Sequence, residues 1–129
     1  MAKKAINDAP GLPKALGPYS RAVWAGNLLY VSGQTGTDPN TGKIATGGVG
    51  EETRQCIENL TAILQAAGLT RADVVKSNIY LTDINDFAAM NEVYAKHFDE
   101  PRPARTTVAV AALPGGARVE IEVVAVSAS

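Results

Sequence analysis

This chain has one cysteine, Cys56, and one histidine, His97, in 129 residues. A lone cysteine excludes an intrachain disulfide and agrees with a reducing compartment, so a cytoplasmic location is expected. One Cys and one His also fall short of the four-ligand set of a Cys/His zinc site, and no bound metal is expected. Positive charge is never concentrated: the net charge is -1 and no basic run is longer than Lys3-Lys4. The stripe that nucleic-acid binding normally needs is therefore missing. No apolar run approaches the roughly 20 residues that span a bilayer. The basic start Met1-Ala2-Lys3-Lys4 has no apolar stretch behind it, so neither a membrane span nor a secretory signal is expected. No repeat, low-complexity tract or linker divides the chain, and its length suits one domain, 1–129.

What is present reads as alternating strands and helices. Ala22 to Ala25 and Leu28 to Gln34 form an expected hairpin turned at Gly26-Asn27. In its second strand Leu28, Tyr30, Ser32 and Gln34 share one face, and Leu29, Val31 and Gly33 the other. Residues Thr35 to Gly48 are rich in Gly, Asp, Asn and Thr and read as a loop. A first helix is expected from Gly50 to Ala67, because Ile57, Leu60, Ile63, Leu64 and Ala67 recur at helical spacing. Glu51 and Glu52 suit its positive end, and Gly68 its stop. Val74 to Leu81 reads as a strand. Asp83 is the expected N-cap of a second helix to Phe98, with Phe87, Met90, Tyr94 and Phe98 as its apolar stripe. Strands Arg105 to Ala112 and Val119 to Val126 complete the chain, joined by Leu113-Pro114-Gly115-Gly116. Two helices and about five strands leave one sheet face uncovered. Val108, Val110, Ile121 and Val123 are expected on the covered face. An uncovered, mildly polar face points to association with other subunits.

A few side chains could carry chemistry. Arg105 stands where a strand begins, behind Pro101 and Pro103, which forbid a helix. It shares a face with Thr107, Ala109 and Ala111, while Thr106, Val108, Val110 and Ala112 take the other. Its guanidinium keeps its charge and offers a planar fork to a carboxylate or phosphate. Glu120 and Glu122 share one strand face, either as a solvated edge or as acids in a pocket able to hold or activate a water. Asn91 lies beside the apolar stripe, where an amide usually satisfies a buried backbone group. Ser32 precedes Gly33, which permits close backbone approach. The only His lies in the second helix, so a Ser-His nucleophile is not supported and Ser32 reads as a hydrogen-bonding residue. Tyr19 follows the Gly17-Pro18 turn and reads alone as a packed aromatic. Cys56 reads as inert packing.

Gly17-Pro18-Tyr19-Ser20, Val31-Ser32-Gly33-Gln34, Asn91-Glu92-Val93-Tyr94, Pro103-Ala104-Arg105 and Leu113-Pro114 with Val119-Glu120-Ile121-Glu122 occur in one order and register. Together they resemble the RidA (YjgF-type) imine deaminase family over nearly the whole chain. The resemblance implies an α+β, chorismate-mutase-like fold, with a mixed sheet and two helices on one face. It also implies a homotrimer with sites in the clefts between subunits. The implied reaction is hydrolysis of enamine/imine acids such as 2-aminoacrylate and 2-iminobutanoate, shed by pyridoxal-phosphate-dependent dehydratases, to 2-keto acids and ammonia. No cofactor is implied for the deaminase itself.

The same resemblance assigns roles. Arg105 would grip the substrate carboxylate, Glu120 and Tyr19 would hold the water and move protons, and Ser32 and Asn91 would orient substrate or support the pocket. Backbone near Gly33 and Thr107 could complete it, Thr107 standing where many relatives have Cys. Two rivals are a non-catalytic regulator that binds small carboxylic acids, and a weak ribonuclease or translation inhibitor. A third, a chorismate mutase, would need more cations than Arg105 around its dianionic substrate.

Overall fold

The computed structural model describes residues 3–12, 15 and 17–128. The expected start at Met1 and Ala2 lies outside them. Eight elements follow in order: β1 (Lys4–Ile6), β2 (Ala22–Ala25), β3 (Leu28–Thr35), α1 (Val49–Ala66), β4 (Val74–Leu81), α2 (Phe87–His97), β5 (Ala104–Ala109) and β6 (Val119–Val126). The strands form one sheet in the order β1-β2-β3-β6-β4-β5. Every neighbouring pair is antiparallel except β4 and β5, which run parallel because α2 carries the chain back between them. The architecture is the expected α+β one, with one more strand than the sequence suggested.

Both helices cover one sheet face. Ile57, Leu60, Ile63 and Leu64 of α1 and Met90 and Tyr94 of α2 are buried against Leu29, Val31, Ile79, Leu81, Ile121 and Val123. Each such side chain contributes about 1.5–3 kcal/mol by leaving water. Helix α1 ends as its glycine predicts. Gly68 takes a φ of 78°, its N–H donates to Gln65 O, and the Leu69 N–H donates to Leu64 O. This pair of bonds gives two end carbonyls of the helix a partner.

Three expectations are corrected. Helix α2 starts later than Asp83. That residue instead caps a 3-10 turn, Ile84–Asp86, by accepting the Asn85 N–H at 2.9 Å, and Phe87 remains partly exposed at the first turn of α2. Second, β5 ends at Ala109 rather than Ala112, and its faces are the reverse of those assigned. Parallel register sets Arg105 beside Ser77 and Thr107 beside Ile79, whereas Val108 lies beside Tyr80. Ser77 and Ile79 face the helices, so Arg105 and Thr107 do too, and Val108 is 42% exposed on the open face.

Third, the strict alternation along β3 fails at a β-bulge. Val31 opposes Val123 but Gln34 opposes Ile121, so three steps on β3 match two on β6. The extra residue returns Gln34 to the Leu29 and Val31 face, where it is buried, and leaves Ser32 and Gly33 without partners on β6. The loop after β3 is also ordered by the core. Buried Asn59 of α1 donates to Thr35 O at 3.2 Å and Thr37 O at 3.0 Å, and its own oxygen accepts from Gln55 at 2.9 Å.

Candidate active site

The bulge opens the first of two polar clusters. Tyr19, Ser32, Gly33, Glu120 and Glu122 line an open pocket of about 900 Å³, whose far wall is Thr37, Ile44 and Pro114. Ser32 Oγ donates to Ser20 O at 2.7 Å and its N–H donates to Arg21 O at 2.9 Å. These two bonds lace β3 to the segment that presents Tyr19, which is 47% exposed at the pocket mouth. Ser32 thus spends its hydroxyl proton on the scaffold. Burial first, then the nearby Glu122 carboxylate, raises the Glu120 carboxyl above its ordinary value. A carboxyl raised in this way can exchange a proton nearer neutrality.

Glu122 is held differently. It accepts from the Tyr80 hydroxyl and, at 3.5 Å, from Asn78 Nδ2. The Tyr80 hydroxyl is pushed up to about 12, chiefly by that bond to Glu122, with smaller contributions from burial and the two carboxylates. Two acids on one strand face therefore have distinct environments. Glu122 is tied to donors, whereas Glu120 faces the bulge. Sequence reading missed Asn78 and Tyr80, although their alternation along β4 with Lys76 marked the same open face.

The second cluster lies on the helix-covered side. The Arg105 guanidinium carbon stands 5.0 Å from the Tyr94 ring centroid and 5.5 Å from that of Phe87. Two aromatic faces steady the cation without consuming its donors. Among the described residues no carboxylate lies within ion-pair distance of Arg105. Tyr94 is itself fixed, stacked on Phe98 at 4.5 Å and hydrogen-bonded to Ser77 Oγ at 2.9 Å. Burial raises its hydroxyl, partly offset by the Ser77 bond and by the charges of Arg105 and Arg102. Nearby on this side, Asn91 Oδ1 and Thr107 Oγ1 are buried without a hydrogen-bond partner. Asn91 was expected to satisfy a buried backbone group, but its oxygen has no such bond. The stripe of α2 that read as pure packing is thus also the platform of Arg105.

The seven residues singled out from sequence fall into two groups. Tyr19, Ser32, Gly33 and Glu120 converge at the bulge, while Arg105, Thr107 and Asn91 belong to the α2 side. The register places the sheet between them. Arg105 aligns with Ser77 and Val123, which face the helices, and Glu120 aligns with Tyr80 and Thr35 on the other phase. One chain does not bring Arg105 and Glu120 into one pocket.

Comparison with known proteins bears on what this arrangement serves. The family model described as endoribonuclease L-PSP matches residues 10–127. A RutC family protein of Pyrococcus horikoshii is 52% identical over 113 residues, covering 88% of this chain and 90% of its own. The human 2-iminobutanoate/2-iminopropanoate deaminase is 49% identical over 114 residues, covering 88% of this chain and 83% of its own. Among solved structures, Escherichia coli TdcF with bound serine superposes with a TM-score of 0.90 at 41% identity, covering 97% of this chain and 100% of that one. Matched in sequence across residues 10–127 and in fold over nearly its whole length, this chain belongs to the RidA (YjgF-type) family, whose model bears the description endoribonuclease L-PSP.

Proposed function

We propose that this chain is a 2-imino acid deaminase whose site joins the Arg105 cluster of one copy to the Glu120 pocket of the next. One observation carries the reading: an unpaired guanidinium and a carboxyl raised by burial lie in separate clusters of the chain. Two different surfaces meeting head to tail form a ring when the rotation between copies closes, and the family resemblance implies a ring of three. Tyr30, 51% exposed, and Val108 offer apolar surface on the sheet face that has no helix to cover it.

The chemistry needs little more. Arg105 grips the carboxylate of the 2-imino acid through parallel hydrogen bonds. A water held by Glu120 and Tyr19 attacks C2 of the protonated imine. Glu120 takes a proton from that water as the C–O bond forms, giving a carbinolamine. It then gives the proton to the amino nitrogen. The C–N bond breaks, ammonia leaves, and the hydroxyl proton departs to water as the keto group forms. Asn91 and Thr107, with unpartnered buried oxygens on the Arg105 side of the sheet, suit the substrate's imine N–H and neighbouring donors. Serine bound to the related TdcF is a 2-amino acid of matching carboxylate chemistry. A ribonuclease reading fits less well. The chain has a net charge of -1, and Glu120 with Glu122 would repel phosphates from the pocket.

A dehydratase generating the imine in the presence of semicarbazide tests the activity. Added protein should lower semicarbazone formation and hasten keto-acid release; no effect at high protein concentration would sink the deaminase reading. Subunit mixing tests the composite site. Arg105→Ala and Glu120→Gln proteins, each strongly impaired alone, should regain about a quarter of the wild-type sites when co-assembled, since each site draws the two groups from neighbours in a ring. A site built within one chain would regain none.

A further inference from the structure

The bulge in β3 does more than expose a strand face. Gly33 lies outside the left-handed backbone region that favours glycine, so its backbone tolerates a side chain. The space around it does not. A β-carbon added there would stand 2.8 Å from Glu120 Oε2, 2.9 Å from Cδ and 3.1 Å from Cγ. Contacts below about 3.4 Å between non-bonded atoms are repulsive. What they would displace is the far end of one flexible side chain, and no backbone atom crowds the added carbon as closely. A methyl group at 33 would therefore leave the fold in place and move the carboxylate.

From this geometry we infer that Gly33 is a positioning residue, whose missing side chain is the berth in which the Glu120 carboxylate stands over the pocket. The inference rests on the deaminase reading and deepens it. The bulge supplies the berth because it carries two consecutive residues, Ser32 and Gly33, to the position opposite Glu122. A regular strand would turn one of them toward the helices. Ser32 uses its place to fasten Ser20, the residue after Tyr19. Gly33 uses its own to admit the carboxylate. The water-holding acid and the neighbouring hydroxyl are thus set by adjacent residues of one local irregularity. The added methyl would push Glu120 outward toward water, which weakens the burial that raises its carboxyl.

The test is a double-mutant cycle on Gly33→Ala and Glu120→Gln, read in kcat, KM, pH profile and melting temperature. Gly33→Ala should lower kcat at least 10-fold with KM changed less than about threefold and melting nearly unchanged. The acid limb of its pH profile should shift toward lower pH. In the Glu120→Gln background the same substitution should change kcat less than about twofold, because the group it displaces no longer transfers protons. Equal losses in both backgrounds, or a loss in KM alone, would mean that the methyl obstructs substrate directly, and the assignment of Gly33 would be overturned. If Glu120→Gln by itself left turnover at the wild-type rate, the reading of Glu120 would fall and this inference with it. Should Gly33→Ala fail to fold, Gly33→Ala with Glu120→Ala decides. Recovery of the folded protein supports the berth, and failure of both assigns the glycine to the backbone instead.

Discussion

The two faces of the sheet solve opposite problems. On the covered face Arg105 is a charge held by two aromatic rings, and Asn91 of α2 and Thr107 of β5 carry buried oxygens without partners. On the open face Glu122 has its donors and Ser32 has its acceptor, and Glu120 is the acid left with a raised carboxyl. Partnerless groups beside a saturated scaffold are costly to a single chain, by about 1–3 kcal/mol for each buried atom left unpaired. Such groups are economical only if something else completes them. The contrast therefore teaches that unpartnered polar groups gather on the covered side, as the proposed carboxylate site needs, while the open side is largely self-contained apart from one acid.

The strongest way to break this comparison is Arg105→Ala. Loss of the carboxylate fork should lower kcat/KM roughly 100-fold or more, about 3 kcal/mol, with oligomer size by light scattering unchanged. Arg105→Lys, which keeps charge but not the fork, should fall between. Retention of wild-type kcat/KM in the alanine variant would leave the covered face without a role in binding.

Next in size is Glu120. A carboxyl raised by burial stays protonated to higher pH in the folded chain than in the unfolded one. The folded state therefore binds more protons between the two values, and this group's contribution to stability declines as pH rises through that window. Relative to wild type, Glu120→Gln should melt higher above the window and lose that advantage near pH 4, roughly the ordinary glutamate value. Its kcat should fall about 100-fold while KM moves little. Glu122→Gln removes only the second cause, so the acid limb of activity should move modestly downward. A limb that moved upward would contradict the like-charge assignment.

The smallest expected effect sharpens the comparison instead. Ser32→Ala removes the tie to Ser20 and should reduce kcat/KM about fivefold, the equivalent of one ordinary hydrogen bond of about 1 kcal/mol. Ser32→Thr should restore most of it. A 100-fold loss from alanine would mean that the hydroxyl touches substrate.

Periodicity along the chain was enough for much of this. Strands 74–81 and 119–126, the hairpin at Gly26-Asn27 and the glycine stop of α1 follow from local spacing and backbone preference, which act within a few residues. Arg105, Glu120 and Glu122 stood out as the charges in their strands. The faces of β5 were not legible, because alternation says which residues share a side but not which side is covered. That was decided by pairing with β4, a contact that carries Arg105 toward α2 and Val108 away from it. The bulge at Ser32-Gly33 was equally hidden, since it exists only as a mismatch between β3 and β6. Motifs and the order of every strand and helix but β1 were thus determined by the sequence by itself, through interactions of short range. The tertiary structure alone decided that Arg105 and Glu120 stand apart, because the side of a sheet is a property of strands in register and not of any one strand.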